Sequence, residues 1–159
     1  MPGSGKSCMG KAVSGKLKIK NIDSDTLIEK REGKKLHLLL NELGNEGFKE
    51  LEERTLCEFN EDNCILSTGG SAVYSEKAMK HLKSIGKVIY LKVSLPVIKE
   101  RIGDYSKRGI VLKPGQTIDD LYEERRALYE RYADFTLNCS GNAFPRYHAS
   151  LIDYISKFI

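Results

Sequence analysis

The sequence predicts one α/β domain, spanning residues 1–159, in which a central parallel sheet has helices on both faces in three layers, α/β/α. Short runs rich in β-branched residues alternate along the chain with longer segments of helical spacing, which is typical of a parallel sheet with helical crossovers. The 159 residues are 40% hydrophobic and 30% charged, a balance that suits a single globular domain with its own core.

The elements follow from local patterns. Four short buried runs predict strands, in chain order Leu17–Ile22, Cys64–Ser67, Lys87–Val93 and Phe135–Cys139. Helices are predicted over the stretch that follows Ser7 to about Gly15, and over Thr26–Gly33, Leu36–Leu43, Gly47–Phe59, Ser75–Ile85, Leu95–Ile102, Ile118–Tyr132 and Phe144–Ile159. Gly86 is a typical C-cap for one of these helices. The glycine- and charge-rich segment Asp104–Thr117 is predicted to be a loop.

Three polar or glycine-rich segments are expected at one edge of the sheet. Gly5–Ser7, Asp23–Asp25 and Thr68–Gly70 lie at the carboxyl ends of strands or next to them. Ligands bind outside these ends in open parallel sheets. We therefore expect the three segments to converge on one crevice.

A phosphate-binding motif opens the chain. Gly5, Lys6 and Ser7 fill the last three positions of the P-loop pattern GxxxxGK[ST]. Gly3 and Gly5 allow the backbone N–H groups to point at phosphate oxygens. In such loops the lysine reaches the β- and γ-phosphates and the serine hydroxyl is a ligand for Mg²⁺. The following helix adds the positive end of its dipole. A glycine-rich terminus that contains a lysine by chance is the alternative for this motif alone.

Composition excludes several other classes of protein. The 26 Lys and Arg exceed the 22 Asp and Glu by only four charges, which is too few for a nucleic-acid footprint. No apolar run approaches the roughly 20 residues of a membrane helix. The four cysteines form no CxxC pair and have no metal-ligand spacing with the histidines. With no signal peptide in the sequence, we expect reduced thiols and a cytoplasmic monomer.

The motifs in their order resemble the shikimate kinase family of small P-loop kinases. The series is GSGKS, DSD, GFKxxE, TGG, an arginine-bearing lid and ER-xx-LY-xx-YAD, and it runs from Met1 to about Asp134. The resemblance implies an enzyme that transfers the γ-phosphoryl of ATP to the 3-hydroxyl of shikimate in aromatic amino-acid biosynthesis, with Mg²⁺ as cofactor. It also implies substrate-binding helices over about 25–59 and a lid over about 104–117.

The resemblance assigns roles to individual residues. Those matching the ATP site are Gly3, Ser4, Gly5, Lys6, Ser7, Arg101 against adenine, and the lid residue Arg108. Those matching the acceptor site are Asp25, Lys49, Gly69, Gly70 and Arg125, the last holding the substrate carboxylate. Ser7 and Asp23 match the Mg²⁺ site. Lys6, Asp25 and Arg108 match the catalytic residues, with Asp25 as the base or orienting group for the attacking oxygen.

Several positions depart from the family pattern. Lys49 replaces the arginine of FRxxE and lacks its bidentate fork. Ser71 replaces the third glycine of TGGG, and Ala127 replaces a proline. The lid reads Arg108-Gly109-Ile110-Val111 where the family has RPLL. These departures affect the acceptor half of the site more than the ATP half.

A further departure concerns the sheet. In this family the strand before the P-loop is the central one of five, ordered 2-3-1-4-5, and the present sequence begins after that position. We expect the other four strands here and an upstream start for the natural chain, because unpaired edges in a core cost roughly 1–3 kcal/mol for each exposed backbone group.

Other interpretations remain at this stage. Asp23 and Asp25 could be turn or N-cap residues for the following helix, and Lys49 could pair with Glu52 or Glu53 along its own helix. Arg101, Arg108 and Arg125 could be solvated surface charges, and Gly69-Gly70 a tight turn only. At the level of function, the alternatives are a related P-loop kinase with another small hydroxylated acid as acceptor, or a non-catalytic nucleotide-binding module.

Overall fold

A computed structural model describes residues 1–103, 112–113, 115–141 and 144–159. Helices and strands alternate within these ranges: α1 Lys6–Leu17, β1 Lys20–Asp23, α2 Ser24–Glu32, α3 Leu36–Cys57, β2 Cys64–Ser67, a 3-10 turn Ala72–Tyr74, α4 Glu76–Ile85, β3 Ile89–Lys92, α5 Leu95–Ile102, α6 Ile118–Tyr132, β4 Phe135–Asn138 and α7 Phe144–Ile155. Arg108 and most of the predicted lid lie outside the described residues.

The strands form two parallel pairs. β1 pairs with β2, so that Asp23 lies opposite Ser67, and β3 pairs with β4, so that Lys92 lies opposite Asn138. In the family's numbering, β1 and β2 correspond to strands 2 and 3, and β3 and β4 to strands 4 and 5. The described residues show no pairing between β2 and β3, which would flank the family's central strand. The parallel α/β class is thus confirmed, with the sheet present as two halves.

Several predicted boundaries differ from the structure, and the last helix, for example, ends at Ile155 rather than Ile159. The helix predicted to end at about Gly15 continues to Leu17 and is followed by Lys18, which has a left-handed backbone with φ 57°. The first strand, β1, therefore starts at Lys20. The helices predicted over Leu36–Leu43 and Gly47–Phe59 are two halves of α3, joined at a kink where Gly44 has φ 67° and ψ −176°. Only glycine adopts such a backbone without strain, so the kink occurs at this residue.

Most of the core lies around the second strand pair. Buried side chains of α1, β3, α5, α6, β4 and α7 form the main hydrophobic cluster. A smaller cluster of Ile28, Leu39 and Leu51 packs α2 against α3. Burial of these apolar faces orients α2 and α3 beside the sheet edge where the strands end. None of the described helices has the length and apolarity needed to cross a membrane.

Gly10 allows α1 to approach β1 and β2 closely. A Cβ at this position would lie 2.8 Å from Ser67 Oγ and 2.9 Å from Asn21 Oδ1, whereas a Cβ at Gly15 on the same helix would meet nothing within 4 Å. Both Gly→Ala changes gain similar helix propensity. We expect Gly10→Ala to be less stable than Gly15→Ala by about 1–3 kcal/mol, the usual cost of overpacking, when both are measured by urea unfolding. Equal stabilities would show that the helix shifts without cost.

Candidate active site

The loop before α1 has the backbone that the motif predicts. Gly3 has φ 72° and Gly5 has φ 88°, both in the left-handed region, and Gly5 is the residue from which α1 begins. The free N–H groups of the first turn therefore face the same side as the loop. The Lys6 Nζ lies inside this loop and donates to the carbonyl oxygen of Met1 at 2.9 Å. Burial lowers the pKa of Lys6, an effect that Asp25 partly opposes.

A cavity of about 330 Å³ opens over this loop and is lined by Gly3, Gly5, Lys6, Ser7, Cys8 and Arg101. The Arg101 guanidinium lies 3.4 Å from the carbonyl oxygen of Gly3, so α5 brings it to the rim that the resemblance implies. The Ser4 side chain is oriented differently. It is buried and donates to the carbonyl oxygen of Met1 at 2.9 Å, so it stabilises the loop from within.

Ser7 and Asp23 lie together at the edge of this cavity. The Ser7 hydroxyl donates to Asp23 Oδ2 at 2.9 Å. The other oxygen of Asp23 accepts from the backbone N–H of Asp25 at 3.0 Å, so Asp23 is also the N-cap of α2. One carboxylate and one hydroxyl are oxygen ligands of the kind Mg²⁺ takes when phosphate and water supply the rest. The two residues therefore fit a Mg²⁺ site.

Two carboxylates converge on Gly69, the buried Glu52 and the half-buried Asp25. A Cβ on Gly69 would overlap Glu52 Oε1 and would lie 3.4 Å from Asp25 Oδ1. The backbone N–H of Gly69 donates to the buried Ser24 hydroxyl at 3.0 Å, which fixes the turn against α2. Burial, followed by the charge of Asp23, raises the pKa of Asp25. Burial also raises the pKa of Glu52.

Arg125 lies on the other side of the same turn. It is 5% exposed, and a Cβ on Gly70 would lie 2.9 Å from its Nη1. Its Nε donates to the Tyr74 hydroxyl at 3.3 Å, while the Tyr129 hydroxyl donates to the carbonyl oxygen of Gly70 at 2.8 Å. Within the described ranges its guanidinium forms no salt bridge. A solvated helix face for Arg125 is therefore wrong, and its buried charge is available to an anionic ligand.

Lys49 lines a second cavity, of about 200 Å³, together with Glu52, Ser71 and Tyr74. Its Nζ pairs with Glu46 Oε1 at 2.6 Å, one turn back along α3, rather than with Glu52 or Glu53 as the alternative interpretation has it. The same Nζ lies 5.9 Å from the centre of the Tyr74 ring, and the Arg125 Cζ lies 5.3 Å from it. The two cations thus face one aromatic ring.

The structure adds Glu52 and Tyr74 to the site that the sequence predicts. Glu52 is 3% exposed, although four of the five residues from Glu50 to Arg54 are charged. Glu52 is the last residue of the GFKxxE motif, one turn beyond Lys49, and this motif position is the signal that could have indicated it. No local signal marks Tyr74, because its contacts are with α3 and α6.

P-loop enzymes hold nucleotide phosphates with a glycine-rich loop that leads into a helix and encloses a lysine amine. The loop before α1 has this arrangement, with two left-handed glycines. The fold and this loop define a P-loop kinase. The shikimate kinase family model matches residues 2–155. The chain belongs to the shikimate kinase family.

Individual relatives agree with this assignment. The chain is 33% identical over 159 residues to a shikimate kinase of Pasteurella multocida, covering 98% of this chain and 91% of that one. It is 35% identical over 137 residues to a shikimate kinase of Sulfurihydrogenibium sp., covering 86% and 82%. A shikimate kinase from Acinetobacter baumannii, solved in complex with shikimate, matches with a TM-score of 0.85 at 26% identity, covering 98% of this chain and 88% of that one.

Proposed function

We propose that this enzyme transfers the γ-phosphoryl of ATP to the 3-hydroxyl of shikimate, giving ADP and 3-phosphoshikimate in aromatic amino-acid biosynthesis. One observation supports it above the others. A Cβ on Gly70 would lie 2.9 Å from Arg125 Nη1 and 3.5 Å from Pro2 Cδ, so one glycine separates a buried cation from the phosphate-binding loop. An acceptor whose carboxylate is bound by Arg125 would therefore lie beside the nucleotide phosphates.

The residues of the site fit the needs of phosphoryl transfer, which are positioning and charge neutralisation. Asp25 accepts a hydrogen bond or the proton from the attacking hydroxyl, and its raised pKa makes it a stronger base than an ordinary aspartate. Lys6 neutralises charge on the transferred group, and Arg101 contacts the adenine side. Arg108, whose role comes from the resemblance alone, would close over the phosphates.

Ser7 and Asp23 would hold Mg²⁺. When bound, the ion would neutralise part of the charge on the β- and γ-phosphates. The two ligands hold each other in place without it, since the Ser7 hydroxyl already donates to Asp23.

We also propose that the enzyme acts as a monomer in the cytoplasm. All four cysteines, Cys8, Cys57, Cys64 and Cys139, are free. Free thiols are usual in reducing compartments, which supports this location.

The decisive experiment is a coupled assay of ADP release with a panel of acceptors. Shikimate, 3-deoxyshikimate, shikimate methyl ester and other small hydroxy acids would be compared, and the product would be identified by ³¹P NMR. We expect turnover with shikimate, none with the 3-deoxy compound and a raised KM for the ester. Turnover of a different hydroxy acid in preference to shikimate would instead indicate the related-kinase alternative, and ADP release that no acceptor stimulates would contradict acceptor phosphorylation.

Position 49 tests the acceptor side of this proposal. Lys49 offers one hydrogen bond to a carboxylate, whereas arginine offers two parallel ones. A charge-assisted hydrogen bond contributes roughly 1.5–3 kcal/mol. We expect Lys49→Arg to lower the KM for shikimate by about tenfold and to leave the KM for ATP unchanged.

Lys30→Arg is the matched control, because Lys30 is exposed on α2. It should change neither constant. If Lys49→Arg behaves like this control and Lys49→Ala changes only stability, by the few tenths of a kcal/mol typical of an exposed pair such as Lys49–Glu46, then Lys49 does not bind the acceptor.

A further inference from the structure

The side chain of Ser71, in the segment after β2, forms a hydrogen bond that the sequence does not predict. Its hydroxyl donates to Glu52 Oε2 at 2.6 Å, joining the segment after β2 to the C-terminal half of α3. Glu52 is 3% exposed, so its carboxylate has lost most of its contact with water. A buried carboxylate needs hydrogen-bond donors to remain charged. Ser71 is therefore the donor that stabilises one oxygen of this group.

Lys49 does not supply this contact. It lies on the same helix three residues before Glu52, but its Nζ pairs with Glu46. The charged groups that face Glu52 from other elements are Asp25 on α2 and Arg125 on α6, and the negative charge of Asp25 acts against ionisation of Glu52. Among the described residues, Ser71 provides the side-chain hydrogen bond to the Glu52 carboxylate.

The second oxygen of Glu52 is directed elsewhere. Glu52 Oε1 occupies the space that a Cβ of Gly69 would need, and Asp25 Oδ1 lies 3.4 Å from the same point. Two carboxylate oxygens thus border the small space over Gly69. A ligand with neighbouring hydroxyl groups can donate one to each oxygen, whereas a ligand with a single hydroxyl satisfies only one.

We propose that Ser71 is a positioning residue of the acceptor site, which holds Glu52 so that its Oε1, together with Asp25 Oδ1, accepts hydrogen bonds from hydroxyl groups of the acceptor. The proposal rests on the proposed function for the identity of the acceptor. It explains how a serine is accommodated where the family has glycine: the side chain turns towards Glu52 instead of filling the space over Gly69.

Ser71→Ala tests this role. The variant should raise the KM for shikimate by about tenfold or more, because Glu52 loses its donor, while the KM for ATP stays unchanged. Ser71→Thr keeps a hydroxyl and should restore the parent value. Since the hydrogen bond from Ser71 holds the pKa of Glu52 down against burial, its loss should also move the acidic limb of kcat/KM for shikimate to higher pH.

Ser75→Ala is the control for simple destabilisation. Ser75 donates to Glu53 Oε2 at 2.5 Å in the neighbouring serine–glutamate pair, and it also caps α4. We expect this variant to melt at lower temperature with the acidic limb unmoved. A ¹³C NMR titration of the ligand-free parent and Ser71→Ala proteins should show the Glu52 carboxyl titrating at higher pH in the variant.

The outcomes separate the two proposals. If the parent phosphorylates shikimate but Ser71→Ala changes neither its KM nor the acidic limb, Ser71 is structural only and this proposal is overturned while the function stands. If the parent uses another acceptor of the panel, the function is revised and the KM comparison is made with that acceptor. A parent that phosphorylates no acceptor overturns both.

Discussion

Lys6→Ala is expected to lower kcat for phosphoryl transfer by about 10²–10³-fold, because it removes a cation placed against the charge that develops on the transferred group. The thermal unfolding of the protein should change little. The variant loses the hydrogen bond from Nζ to the Met1 carbonyl, worth about 1 kcal/mol, but it also loses the cost of burying an ammonium group. These two effects on stability have opposite signs.

Steady-state kinetics and calorimetry on the same preparation would check this expectation. Lys11→Ala is the matched control, since Lys11 lies on α1 with an exposed side chain. It should retain both kcat and melting temperature. Activity of Lys6→Ala within tenfold of the parent, with unchanged melting, would remove Lys6 from the phosphate-binding site.

Asp25→Asn is expected to lower kcat by about 10²–10⁴-fold, the usual contribution of a general base, with a much smaller change in the KM for the acceptor. Asparagine has the same shape and retains hydrogen bonding, but it cannot accept the proton of the attacking hydroxyl. The pH profile of kcat for the parent enzyme should also have an acidic limb. Burial and Asp23 raise the pKa of Asp25, so protonation begins nearer to neutral pH than for an ordinary aspartate, and activity falls as the pH falls through it.

The pH profile distinguishes a base from a binding group. In Asp25→Asn the residual activity should lack the limb that belongs to Asp25. Asp62→Asn serves as control, because Asp62 is exposed in the connection between α3 and β2. If Asp25→Asn keeps kcat within about tenfold of the parent and raises only the KM, the carboxylate orients the acceptor without taking its proton.

Local sequence was sufficient for much of the fold. The left-handed glycines Gly3 and Gly5 and the N-cap at Asp23 follow from residue types and spacing, because each depends on backbone preferences within a few residues. The parallel strand pairs follow from the alternation of strands and helices along the chain. The same local reasoning located the three segments at the carboxyl ends of strands. Boundaries were less accurate where a single residue decides them, as at Lys18.

The sequence by itself determined the phosphate-binding loop and the family, since these depend on short motifs in a fixed order. Tertiary structure alone decided which contacts the acceptor-side residues make. Arg125 is buried between Gly70 and Tyr74, and Ser71 donates to Glu52. These contacts join α3, the loop after β2 and α6, which are distant in sequence. Which partner each side chain takes therefore depends on how those elements pack, and no local pattern specifies that packing.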